Sequence, residues 1–404
     1  MEKFEKKVRA ATGELGKEKQ ELAGVVVSAR SRRFNYDNSF GFKGLGADSP
    51  PIDLESTFWA ASCTKLLTTI AAMQILEQGK VTLDEDISRI LPEFKDPQIL
   101  VRVEDGKPTL VPAKNKITLR HLLTHSSGLG YTVMSPNLMA YAEATGQQAK
   151  MTAPTVNEKY NWPLLFEPGE DFHYGQSVDW AGQVVERISG MRLGDYLAKY
   201  VFAPIGVQQS TFHPSRDPAV ESNLVEMLLR ATPGDSTLTT TTMFDRKAEW
   251  EDMGGEGIYT NPTNYVKVLV SITRNDEKIL KKESVEQMFT PQLKDPSHLM
   301  KHISALLEPG IIAQLMGALP GETAINWGLG GLLSLEEVPG RRRKGSMSWS
   351  GLPNLFWWMD PVSESCGCWA TNIIPTGDVK SAAMYKEFEE AVYEELTRSK
   401  SSRI

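Results

Sequence analysis

Cysteine is scarce: three residues in 404, at Cys63, Cys366 and Cys368. Three thiols cannot build a disulfide framework, and their spacing fits no four-ligand zinc site. Histidine is also sparse, six dispersed residues, and the His-Glu-x-x-His pattern of zinc hydrolases is absent. No metal and no other cofactor is expected. No apolar run is long enough to span a bilayer, so no membrane association is expected. The charged opening Met1-Glu2-Lys3-Phe4-Glu5-Lys6-Lys7 has no apolar stretch behind it and does not read as a secretory signal. Basic charge is not in excess; the net charge of −7 argues against nucleic-acid binding. These absences point to a reduced, cytoplasmic protein. The Gly-x-Ser-x-Gly elbow is missing too, which counts against a histidine-based triad.

What is present is an ordinary globular composition, 41% hydrophobic and 24% charged. Residues 2–21 read as a surface helix, and Leu22 to Ala29 as a valine-rich strand. Leu66 to Gln78 is an amphipathic helix stopped by Gly79. Further helices are expected over Thr118–Thr124, Val178–Ser189 and Asn264–Arg274, with no regular structure over 128–162. The last hundred residues change to strands: Trp327–Leu335, Gly345–Ser350, Leu355–Met359 and Cys368–Ile374. The unbroken apolar run Leu355–Met359 fits a central strand covered on both faces. Lys380 to Arg398 closes the chain as a helix. The expected class is α+β: one sheet built from both chain ends and a large, mainly helical insertion. The corresponding division is 1–60 with 310–404 for the sheet part and 61–309 for the helical part, with the active site between them.

Chemistry concentrates at Ser62-Cys63-Thr64-Lys65. Three residues apart at a helix start, Ser62 and Lys65 share one face, so an amine can take the proton of a hydroxyl that is otherwise a poor nucleophile. The positive end of the helix helps stabilise negative charge developing near Ser62. Tyr174, ahead of a helix start, is placed to pass a proton to a leaving group; taken alone it reads rather as a half-buried structural tyrosine. In Trp349-Ser350-Gly351-Leu352 a strand ends in a small residue, and the N–H of Leu352 can join that of Ser62 as a two-donor oxyanion hole. The plain alternative is a strand end with a core tryptophan.

Together these pieces resemble the serine β-lactamase/penicillin-binding-protein superfamily, in particular its class C-like branch, over about residues 20 to 375. His121-Leu122-Leu123-Thr124-His125-Ser126-Ser127-Gly128-Leu129 is similar to that branch's His-Leu-Leu-Thr-His-Thr-Ser-Gly segment, and Gly254-Gly255-Glu256-Gly257-Ile258-Tyr259 to its glycine-rich turn. The resemblance implies a β-lactamase/transpeptidase-like fold with an antiparallel sheet flanked by terminal helices. It also implies Ser62 as acylated nucleophile, Lys65 as its base partner and Tyr174 as proton relay. Two departures stand out: Gln176 replaces the Asn of the Tyr-x-Asn motif, and Trp349-Ser350-Gly351 replaces Lys-Thr-Gly. A tryptophan at that place offers an apolar wall, so the preferred substrate lacks a carboxylate there. Trp349-Ser350-Gly351-Leu352-Pro353-Asn354 and the aromatic strand after it are similar to the fungal transesterases related to lovastatin acyltransferase, as is the Cys366–Asp378 ending.

That likeness implies an acyl thioester donor, on a carrier protein or a small thiol, and a small-molecule alcohol as acceptor. The expected function is an acyltransferase working through an acyl-serine on a specialised-metabolite hydroxyl. If water wins over the alcohol, the same residues make a carboxylesterase, thioesterase or amidase; a non-catalytic binding protein is the alternative of another class. Trp162, Phe172, Tyr259 and Trp327, with Trp349 and Gly351, are candidate substrate-binding residues, although each aromatic also fits a core position. His125 reads as a loop-ordering histidine because Lys65 fills the base role, and Cys63 as packing. The basic run Arg341-Arg342-Arg343-Lys344 reads as a solvated turn, or more sharply as a docking patch for an acidic carrier protein.

Overall fold

The computed structural model describes residues 1–16, 20–148, 150, 152–242, 250–306, 319–320 and 323–401. Seven strands form the main sheet: β1 (Gly24–Arg30), β2 (Asn35–Gly41), β3 (Ile325–Trp327), β4 (Leu332–Ser334), β5 (Met347–Gly351), β6 (Leu355–Asp360) and β7 (Ser365–Ala370). Their order is β2-β1-β7-β6-β5-β4-β3, antiparallel throughout. β1 pairs β7 with Val26 opposite Ala370, so the two ends of the chain meet inside the sheet. The expected border at 309/310 falls within 307–318, outside the described residues.

Both faces of the sheet are covered, and the side-chain period of two sorts the strands' residues between them. Val25, Val27 and Ala29 of β1, Phe356 and Trp358 of β6 and Trp369 of β7 pack on α1 (Glu2–Ala11) and on the closing helix Val379–Ser401. Their alternates Val26, Trp357, Met359, Cys366, Cys368 and Ala370 face α4 (Pro262–Arg274) and share one core with α2 (Thr64–Glu77) and α3 (Ser177–Ser189). This double cover explains why Leu355–Met359 is apolar without a break. The helix α2 is buried on all sides from Thr64 to Met73, as a helix apolar all round must be. It nevertheless carries Lys65, 2% exposed.

Several boundaries differ from the sequence reading. The first helix stops at Ala11. The expected strand 327–335 is broken by the turn Gly328–Gly331, where Gly330 has φ +111°. The expected strand 368–374 also splits: Ile373–Ile374 leaves the sheet and pairs in parallel with Leu228–Leu229. The stretch 128–162 holds two short helices, Pro136–Thr145 and Val156–Tyr160, capped by the Ser135 and Thr155 hydroxyls. A hairpin, Gln98–Glu104 with Lys107–Pro112, interrupts the helical part. Its Asp105-Gly106 turn has positive φ at both residues, the signature of a primed hairpin turn.

The basic run is divided. Arg341 and Arg342 are buried and ion-paired with Glu389 of the closing helix, at 3.3 and 2.8 Å. Arg343 and Lys344 are exposed. The run is therefore neither a solvated turn throughout nor a four-residue docking patch; half of it fastens the closing helix to the sheet.

Candidate active site

Ser62 sits in a tight 3-10 turn, Ala61–Cys63, that leads into α2. The turn is strained: Ala61 has φ +43°, a left-handed backbone that a residue with a Cβ adopts at a cost of about 1 kcal/mol or more. Neighbouring bonds hold it. Ala60 N–H donates to the Ile258 carbonyl at 2.9 Å. The Thr64 hydroxyl donates to the Ala61 carbonyl at 2.6 Å and accepts the Ile258 N–H at 3.1 Å. Tyr265 donates its hydroxyl to the Cys63 carbonyl at 2.8 Å. From the other side the end of β5 presses against the turn. A Cβ at Gly351 would lie 2.4 Å from the Ala60 carbonyl oxygen, so only glycine fits. The N–H groups of Ser62 and Leu352 therefore belong to adjoining segments of backbone.

Lys65 Nζ lies 3.2 Å from Ser62 Oγ, 3.2 Å from the Tyr131 hydroxyl and 2.8 Å from the Gly255 carbonyl oxygen. All three partners are uncharged oxygens. The amine donates to all three, and its reach to Ser62 Oγ places it to exchange a proton with that hydroxyl. The glycine-rich turn is thus part of the site through its carbonyls; that of Gly254 accepts from the Thr68 hydroxyl at 2.7 Å.

Tyr131 was not singled out from sequence. It follows Gly130, at the end of the segment that begins at His121. Tyr174 precedes Gly175, and the two glycines cross: a Cβ at Gly175 would lie 2.8 Å from the Gly130 Cα. The crossing brings two phenol rings together, edge to face at 6.0 Å, beside the Lys65 amine. Lys65 Nζ is 4.8 Å from the Tyr174 ring centroid and 5.6 Å from that of Tyr131. The Tyr174 hydroxyl accepts a bond from the Trp349 indole N–H at 3.0 Å. Trp349 is therefore more than the expected apolar wall: it donates a hydrogen bond into the site.

The remaining candidates separate. Trp327 packs against Trp349 at 4.7 Å and stands 6.2 Å from Tyr174, while Phe172 lies behind Trp327. Both are buried and back the site wall. Trp162 belongs elsewhere, in a small cluster with Leu100 and Leu138, its indole bonded to the Lys159 carbonyl; it is a core residue and no cavity lining. Tyr259 is placed by backbone pairing with Trp59 and Thr211. Gln176 is buried, with its amide donating to the Tyr160 carbonyl at 3.1 Å. His125 is buried with φ +56°. Its Nδ1 accepts the Gly175 N–H at 3.4 Å, in keeping with a loop-ordering role.

The electrostatic surroundings are mixed. Asp179 of α3 accepts the Gly255 N–H at 2.9 Å. Burial, and then the nearby Glu256 carboxylate, push its pKa up to about 6. Glu256 is itself ion-paired with buried Lys159. Burial also holds the imidazoles behind Tyr174 in their neutral form, His173 at about 3 and His302 at about 4, with His125 well below the usual range. The arrangement offers a hydroxyl, an amine in contact with it, two phenols and an aromatic wall. Those are the parts for making and breaking an acyl-serine.

A family model described as beta-lactamase matches residues 8–389. The monacolin J acid methylbutanoyltransferase of Aspergillus terreus is 33% identical over 391 residues, 93% of this chain and 92% of its own. A lovastatin esterase of Penicillium rubens is 32% identical over 392 residues, 95% of this chain and 97% of its own. Among solved structures, a mutant of simvastatin synthase from Aspergillus terreus superposes with a TM-score of 0.88 at 33% identity, covering 98% of this chain and 95% of the other.

Proposed function

The chain belongs to the beta-lactamase family, and on that premise we propose that it is an acyltransferase acting through an acyl-serine on Ser62. One observation carries the reading: the buried amine of Lys65, 3.2 Å from the Ser62 hydroxyl, with its other bonds spent on neutral oxygens. Lys65 accepts the proton as Ser62 Oγ attacks the carbonyl carbon of an acyl thioester. The N–H groups of Ser62 and Leu352 receive the oxyanion. The C–S bond breaks and the thiol leaves with a proton relayed through the phenols, Tyr131 in contact with Lys65 and Tyr174 as the donor in this reading. An acceptor alcohol then loses its proton to the same relay, attacks the acyl carbon, and the ester departs as Ser62 regains its proton. Kinetics are ping-pong.

The donor is a thioester on a carrier protein or a small thiol, and the acceptor a largely apolar specialised metabolite. Trp349 and Trp327 favour an acyl or acceptor group without a carboxylate at that wall. A cytoplasmic setting belongs to the same reading, because Cys63, Cys366 and Cys368 are all free thiols. No described helix is long and apolar enough to cross a membrane. Hydrolysis is the second reading, supported by the esterase relative of nearly equal identity.

Incubation with a short acyl thioester followed by intact-mass measurement tests the first step. The wild type gains one acyl group and Ser62→Ala gains none. Absence of both adduct and thiol release in the wild type would defeat the covalent reading. Candidate alcohols added next distinguish ester from free acid as product.

A further inference from the structure

Tyr174 lies in a half-buried stretch without regular secondary structure, residues 171–175. Backbone donors shut off from water need partners, and four consecutive N–H groups here are taken up by four acceptor atoms on three residues. Phe172 donates to the Asp171 carboxylate at 2.7 Å and His173 to the His125 carbonyl at 2.9 Å. Tyr174 donates to His302 Nε2 at 3.2 Å and Gly175 to His125 Nδ1 at 3.4 Å. His302 comes from a separate helix, α5 (Ser297–Leu306). One turn earlier on α5, His298 Nδ1 bonds Asp171 Oδ1 at 2.8 Å. Two imidazoles on one helix face thus clip both ends of the segment that presents the phenol. Leu299 and Ile303 of the same helix pack on Phe172 and Trp327 behind it.

We propose that His302 is a positioning residue for Tyr174: its Nε2 accepts the Tyr174 N–H and ties the backbone that aims the phenol to helix α5. The phenol is then held at both ends, by His302 at its backbone and by the Trp349 indole at its hydroxyl. The inference rests on the reading of Tyr174 as proton relay. Accepting through Nε2 requires the imidazole proton to sit on Nδ1. Burial beside Phe172 and His173 keeps the ring neutral, with the nearby Asp171 carboxylate opposing only in part.

His302→Leu removes the acceptor; His302→Gln returns an amide oxygen of similar reach. Turnover with a saturating short acyl thioester falls on the order of tenfold in the leucine variant, with KM little changed. The glutamine variant recovers most of the rate, although both lose comparable thermal stability. Equal turnover in the two variants, or a loss confined to KM, overturns the positioning role. If the leucine variant fails to fold, nitrogen-15 spectra of histidine-labelled wild type decide: His302 carries its proton on Nδ1, and a proton on Nε2 overturns the proposal. Tyr174→Phe assayed in parallel separates the premises. Full activity in it defeats the relay and the positioning role together; loss in it alone, with His302→Leu unimpaired, defeats only the latter.

Discussion

Two buried basic side chains on opposite faces of the sheet show what separates scaffold from chemistry. Arg342, behind the sheet, has no exposed side-chain surface and lies 2.8 Å from Glu389, which is equally buried. Lys65, in front, is 2% exposed, yet no carboxylate is among its hydrogen-bond partners; they are a serine, a phenol and a peptide carbonyl. Charge matched by charge fixes one geometry, because removing either member strands the other in a medium that solvates it poorly. An amine surrounded by neutral oxygens exchanges a proton with a hydroxyl while leaving no buried counter-ion behind. Burial alone does not mark a catalytic group; the nature of its partners does.

The contrast is strongest at Lys65 itself. Lys65→Met keeps the apolar stem and removes the proton acceptor. Acylation, followed as thiol release, is expected to fall by about a thousandfold or more while the unfolding midpoint barely moves. A loss below about tenfold would erase the distinction. Glu389→Gln is the mirror experiment: stability drops by about 3 kcal/mol or more in chemical denaturation, with turnover of the folded enzyme unchanged. Next comes Tyr131→Phe, which takes away one neutral oxygen and lowers the acylation rate by roughly tenfold. Rates set beside those of Tyr174→Phe tell which phenol the proton uses.

The smallest effect is one of pH. His125, His173 and His302 are held below the ordinary value of 6.5. The unfolded chain therefore binds their protons first, and the stability they supply is complete above pH 6.5 and lost as pH falls towards their folded values. Asp179 and Glu186, raised by burial to about 6 and about 7, carry the opposite sign. Their contribution is present at low pH and lost as pH rises through those values. With His121, also lowered by burial, four imidazoles outweigh the two carboxyls, so stability falls on acidification between pH 6 and 4.5. Midpoints that stay level across this window would mean the wall histidines titrate normally in the folded protein.

The pair Ser62 and Lys65 was readable in sequence because a helix makes residues three apart neighbours without help from the rest of the chain. The two-faced sheet was readable because Leu355–Met359 admits no exposed side. Tyr131 was hidden because its place depends on Gly130 crossing Gly175, a contact that local spacing does not encode. Arg342 was hidden for the same reason, since its partner lies on the closing helix. Trp162 was misplaced because an aromatic residue carries no local mark distinguishing cavity from core. The hairpin at 98–112 has a turn signal in Asp105-Gly106, but it was passed over because the sparse apolar alternation around it does not mark strands.

The junction of β1 with β7 also sets a timetable. During synthesis the serine-bearing turn is made early, yet Gly351, which seats against it, and Ala370, which meets Val26, emerge only near the end. A reactive hydroxyl is therefore laid down long before the backbone that arms it, and a chain halted short of its last strands has its nucleophile but not its catalytic power.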